Sequence, residues 1–148
     1  MIIIKEINPI TENNGPGIRV EVVLSKDAGI TLTPNELVDS IRKFRPYIEL
    51  NGGGVTFNGD ICNIEELSRA CMICHKAGIN TCIELDNYIE QYDSILKYID
   101  IIIINKIEYI DEIIKKFNNI KIYTRNNEFN DDILNKYNIK IIEKIERF

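Results

Sequence analysis

Six apolar runs of strand length, each separated from the next by a stretch with helical spacing, constrain this chain more than any other feature. They cover residues 18–24, 54–57, 81–85, 101–104, 120–124 and 139–142. Strand and helix in alternation argue for a parallel sheet joined by helical crossovers, because parallel neighbours cannot be linked by a tight turn. Ile101-Ile102-Ile103-Ile104 agrees, since a strand covered on both faces has no reason to alternate apolar with polar. Residues 1–6 read as an extra strand, pairing with 18–24 across Asn13-Asn14-Gly15-Pro16-Gly17. The fold class is α/β with mainly parallel strands. The 148 residues show no linker and read as one domain.

The helical stretches carry their own punctuation. Thr33-Pro34-Asn35-Glu36 offers an N-cap threonine, a proline in the first turn and a glutamate at the third position. Leu37, Ile41 and Phe44 share one face beyond it, and Arg45-Pro46 predicts the end of the helix. A second helix is expected over 64–77, with Ile64, Leu67, Cys71 and Cys74 as its stripe and Gly78 as its stop. Others are expected over 88–98, 109–117 and 131–137. Glu65-Glu66 and Asp131-Asp132 suit first turns, where acids meet the positive end of the helix dipole.

Within this frame, Asn51-Gly52-Gly53-Gly54-Val55-Thr56-Phe57-Asn58-Gly59-Asp60 is a short strand bracketed by glycine. The carboxyl ends of strands are where open and barrel-like α/β folds bind ligands. That directs attention to Asn58-Gly59-Asp60. The three leading glycines precede a strand and do not open a helix, so they read as a tight helix-to-strand connection and not as a phosphate cradle.

A net charge of -5 with no Lys/Arg stripe argues against nucleic acid. Neither Met1-Ile2-Ile3-Ile4 nor the run at 101–104 reaches the length of a signal segment or a membrane span, and the chain reads as cytoplasmic. Its four cysteines, Cys62, Cys71, Cys74 and Cys82, are then expected as free thiols. Cys71-Met72-Ile73-Cys74-His75 spells the C-x-x-C-H of c-type haem attachment, but both cysteines continue a helical apolar stripe, and core packing is the better reading. A zinc site built from the four cysteines and His75 is not expected, because they fall on different elements. His75 itself reads as an exposed helix residue.

Four local stretches carry a resemblance. Asn14-Gly15-Pro16-Gly17-Ile18-Arg19 leads into one strand and Gly52-Gly53-Gly54-Val55-Thr56 into the next. Lys76-Ala77-Gly78-Ile79-Asn80-Thr81 joins a helix to the third, and residues 100–104 form a later hydrophobic strand. In this order they resemble the radical S-adenosylmethionine (SAM) activases of glycyl-radical enzymes, of the pyruvate formate-lyase and anaerobic ribonucleotide reductase type. The likeness is strongest over residues 14–107. It implies a partial (β/α) barrel, a SAM site and a [4Fe-4S] cluster held by a C-x3-C-x2-C loop after the first parallel strand. Asn58-Gly59-Asp60 stands where the family's Gly-Gly-Glu or Gly-Gly-Asp receives the SAM ammonium. Glu84 or Asp86 matches an acidic residue after the third strand, and Asn105 replaces an aspartate at the end of the strand at 100–104.

The cluster loop is where this sequence departs from the family. No cysteine precedes Cys62, and Lys26-Asp27-Ala28-Gly29 runs straight into Ile30-Thr31-Leu32. Clusters need thiolate or, occasionally, imidazole ligands, and no other side chain supplies their one-electron chemistry. The expectation is an activase-like pseudoenzyme: a vestigial SAM site, no [4Fe-4S] cluster, and a binding or regulatory role toward a glycyl-radical enzyme or a true activase. Two alternatives stand beside it. One is a working activase with an atypical or partner-supplied cluster; the other is a small-ligand-binding α/β chain.

Overall fold

A computed structural model describes residues 1–142. Its single sheet has eight strands, in the order β3-β1-β2-β4-β5-β6-β7-β8. β1 (Ile2–Thr11) and β2 (Arg19–Leu24) are antiparallel neighbours across the predicted turn. β3 (Ile30–Leu32), which the sequence pattern does not signal, folds back antiparallel onto β1. α1 (Pro34–Arg42) and α2 (Arg45–Leu50) then lead to β4 (Gly54–Gly59), the first strand parallel to β2. After it come α3 (Ile64–Lys76), β5 (Asn80–Leu85), α4 (Asp93–Leu96) and β6 (Ile101–Ile104), followed by α5 (Ile110–Lys116), β7 (Lys121–Thr124), α6 (Asp131–Tyr137) and β8 (Lys140–Ile141). From β2 to β8 every neighbouring pair is parallel. The expected α/β partial barrel is the fold.

Two helical expectations need correction. Arg45-Pro46 does not only follow a helix end; it opens α2, because proline lacks an N–H that the first turn would leave unbonded anyway. The helix predicted over 88–98 shrinks to a 3₁₀ turn at Glu90–Tyr92 and the single turn of α4. Tyr88 and Tyr92 are buried there as loop anchors and not as a helical stripe. α1 is capped as its sequence predicts. The Glu36 N–H donates to Thr33 Oγ1 at 3.1 Å, and the Thr33 N–H donates to the Glu36 carboxylate at 3.0 Å. Thr33→Ala is expected to lower stability in urea by about 1 kcal/mol. The bond from the Thr33 N–H also holds the Glu36 carboxyl below its ordinary value. This capping contribution is therefore complete above the unfolded-state value and is lost as pH falls through the lowered one.

The sheet divides the chain chemically. Val20, Val22, Val55, Phe57, Ile83, Leu85, Ile102 and Ile104 face the helices and form the main core with Leu37, Ile41, Leu67, Cys71 and Cys74. Cys82, Ile101 and Ile103 occupy the opposite, inner face with Tyr123 and Ile142. Next to them the inner face turns polar, through Arg19, Glu21, Thr56, Asn58 and Glu84. Curvature brings the turn ahead of β2 within hydrogen-bond reach of Arg125, just beyond β7 and four strands away. No helix among the described residues is long and apolar enough to cross a membrane.

Candidate functional site

Gly52 and Gly53, with Gly54 opening β4, form a tight connection between α2 and the strand. An ideal Cβ on Gly53 would sit 1.7 Å from the Ile18 carbonyl oxygen, and one on Gly54 would sit 2.1 Å from that of Asn80. Backbone fills the space a ligand would need. At the other end of β4, Gly59 has φ 86° and packs against the Leu24 carbonyl, so only glycine makes this turn without strain. The turn aims Asp60 back at the end of β2. The Asp60 N–H donates to the Leu24 carbonyl at 3.0 Å, and the Asp60 carboxylate accepts from the Lys26 N–H at 3.3 Å.

Five of the six residues singled out from the sequence converge. Asn58, Gly59, Asp60, Glu84 and Asp86 line one cleft of about 320 Å³ at the carboxyl ends of β4 and β5. Gly59, Asp60 and Asp86 also line an adjoining hollow of about 260 Å³ with Lys26, Cys62 and Tyr92. Asn105 lies apart from this cleft, and its amide is used in joining β6 to β7. Its Oδ1 accepts from Thr124 Oγ1 at 3.1 Å and from the Arg125 N–H at 2.7 Å.

Within the cleft, side chains are already partnered. Asn58 donates through Nδ2 to Glu21 at 2.8 Å, and Asn8 donates to the other oxygen of Glu21 at 2.6 Å. Glu84 accepts from Arg125 in a fork at 3.0–3.1 Å. The sequence reading did not include Arg125, Glu21 or Asn8 in the site. Their only signal is the period-2 placement of Glu21 and Arg125 on the inner face, which becomes visible once the strands are known. Asp60 and Asp86 remain the exposed carboxylates.

The thiols do not gather. Cys71 and Cys74 are fully buried on the core side of α3, while Cys82 is buried on the opposite face of the sheet. Among the described residues no group of three His, Cys, Asp or Glu side chains could hold a metal ion. Burial pushes Cys74 up to about 12 and Cys82 up to about 11, and it raises Cys71 well above the ordinary thiol range, with Cys74 nearby adding to the effect. Cys62 alone is half-buried near the cleft, with its Sγ 3.6 Å from the Ser25 carbonyl. Burial raises its pKa too, and Asp60 adds to the shift.

A [4Fe-4S] cluster does not fit this donor set. Residues 25–29, where the resemblance would put the cluster loop, form a short turn closed on itself. Ser25 Oγ accepts from the N–H groups of Asp27 and Ala28 at 3.3 and 3.2 Å and donates to Asp27 Oδ1 at 3.1 Å. β3 then returns the chain to β1. The turn carries no thiol, and Cys62 beside it supplies only one.

The sheet and its helices form an α/β partial barrel with mainly parallel strands, consistent with a radical-SAM-like fold. Comparison with known proteins narrows this. No family model matches the chain. It is 30% identical over 118 residues to the pyruvate formate-lyase-activating enzyme of Clostridium pasteurianum, a match covering 67% of this chain and 49% of that protein. It is 33% identical over 97 residues to the (2S)-3-sulfopropanediol dehydratase activating enzyme of Klebsiella oxytoca, covering 62% and 30%. With pyruvate formate-lyase 1-activating enzyme of Escherichia coli K12 the identity is 28% over 91 residues, covering 57% and 37%. These matches support a pyruvate formate-lyase activase-like radical SAM family for the chain. It spans about half the length, or less, of the curated relatives it matches.

Proposed function

We propose that this chain is a non-catalytic relative of the glycyl-radical enzyme activases, acting as a binding or regulatory protein in glycyl-radical enzyme activation. The observation that carries this reading is the turn at residues 25–29. A self-bonded turn and a returning strand stand where the cluster loop would run, and they offer serine, lysine, aspartate, alanine and glycine in place of three cysteines. In such proteins the cluster supplies the electron that cleaves SAM, and the protein supplies binding and orientation. The chain keeps the second part: the sheet, the Gly59 turn and an acidic cleft. Asp60 and Asp86 suit a small cation such as the ammonium end of an amino acid.

Affinity purification of the tagged chain from its native cells, grown without oxygen, tests the role. Recovery of a glycyl-radical enzyme or of a cysteine-loop activase, identified by mass spectrometry, is the expected result. Recovery of neither contradicts a regulatory role. The cleft favours one further reading, a small-ligand-binding α/β chain. Calorimetry with SAM, S-adenosylhomocysteine and nucleotides tests it, and absence of heat with all of them removes it.

A further inference from the structure

One charge pair, Arg125 with Glu84 of the cleft, ties together distant parts of the concave face. Arg125 follows β7, and its guanidinium lies among groups from two distant parts of the chain. Nε donates to both oxygens of Glu84, at 3.1 and 3.0 Å, and Nη2 donates to Glu84 Oε1 at 3.0 Å. Nη2 also donates to Asn14 Oδ1 at 3.0 Å, and Nη1 donates to the Asn13 carbonyl at 2.8 Å. Asn14 is only 5% exposed and is tied down further. It donates to Thr11 Oγ1 at 2.8 Å, and its carbonyl accepts from Thr56 Oγ1 at 2.6 Å. One side chain therefore joins the acid on β5 to the β1–β2 turn.

We infer that Arg125 is a built-in latch. Its guanidinium takes the cation position beside Glu84 and pins the β1–β2 turn over the concave face. A cationic group that takes over the Glu84 carboxylate displaces Arg125 from it, and that displacement frees the turn. The physical reason is the planar fork, which satisfies a carboxylate and two further acceptors at once; an ammonium cannot match that geometry. The side chains of Arg125 and Glu84 are 29% and 18% exposed, so the pair is better shielded than an ordinary surface pair. Asp60 and Asp86 stay open at the mouth of the cleft and would draw a cation toward the latched end. The inference rests on reading this cleft as the ligand end of the scaffold.

Hydrogen–deuterium exchange on the whole chain tests it without iron or partner. In Arg125→Ala, amides of residues 12–17 are expected to exchange on the order of tenfold faster, while β5 and β6 keep their protection. Millimolar methylguanidinium should restore protection in that variant, because the vacated site is shaped for its fork. Methylammonium should not. Adding Glu84→Gln to the variant should abolish the rescue. Unchanged exchange at 12–17, or equal rescue with and without Glu84, overturns the inference. If Arg125→Ala does not fold, Glu84→Gln alone gives the same reading: faster exchange at 12–17 supports the latch, and unchanged exchange overturns it. A bound cluster would sink the proposed function and leave this result standing.

Discussion

Gly53→Ala should lose about 4 kcal/mol or more of stability, enough to leave little folded protein from a total of roughly 5–15 kcal/mol. The cause is contact. The added methyl would sit 1.7 Å from the Ile18 carbonyl oxygen and 2.7 Å from its carbon, both backbone atoms in the segment entering β2. Neither can swing aside as the end of a side chain would. Relief requires β2 and β4 to part at the place where Arg19 and Gly54 are in register. Gly52→Ala is the matched control. Gly52 has φ +63°, but a Cβ there meets nothing within 4 Å, so the cost is the left-handed conformation alone, about 1 kcal/mol. Urea unfolding of both variants checks this. A Gly53→Ala midpoint as close to wild type as that of Gly52→Ala would contradict the close-packed connection.

Arg19→Met should cost about 3 kcal/mol, the second largest effect expected from a single change. Arg19 is fully buried and, among the described residues, has no ion-pair partner. Its charge is dispersed over neutral acceptors instead. Nε donates to Thr56 Oγ1 at 2.9 Å, Nη1 to the Pro16 carbonyl at 3.1 Å, and Nη2 to the Val55 carbonyl and Asn80 Oδ1 at 3.0 and 2.8 Å. Burial pushes its pKa down, with Cys82, Asp100 and Tyr123 offsetting part of that. Methionine fills much of the volume but leaves those acceptors unbonded on the inner face. Lysine keeps the charge and loses the fork, so Arg19→Lys should fall between methionine and wild type. Denaturant midpoints ranked wild type, lysine, methionine are expected. A lysine variant as stable as wild type would show that charge alone, without fork geometry, holds this end of the sheet.

Much of the fold is legible because isoleucine-rich runs leave little choice. Ile101–Ile104 emerges as β6 without a shift, and β2, β5, β7 and β8 match their runs to within one or two residues. β3 escapes notice because it has three residues and depends on pairing with β1, a long-range contact with no local pattern. α2 is missed because a proline that can stop one helix can also start the next. The site divides the same way. Asn58, Gly59 and Asp60 are readable as a turn at a strand end, whereas Glu84 or Asp86 enters only through the resemblance, as its acidic residue after the third strand. Arg125 is a lone arginine among asparagines, 41 residues from Glu84, and nothing local marks it as a partner.

The central claim is that this chain does not hold a cluster of its own. It is tested most directly by reconstituting the purified chain with iron and sulfide in the absence of oxygen, then measuring iron content and recording electron paramagnetic resonance after reduction. The account predicts a colourless protein without stoichiometric iron and without a reduced-cluster signal. A stoichiometric, reducible [4Fe-4S] signal from the chain alone would contradict it.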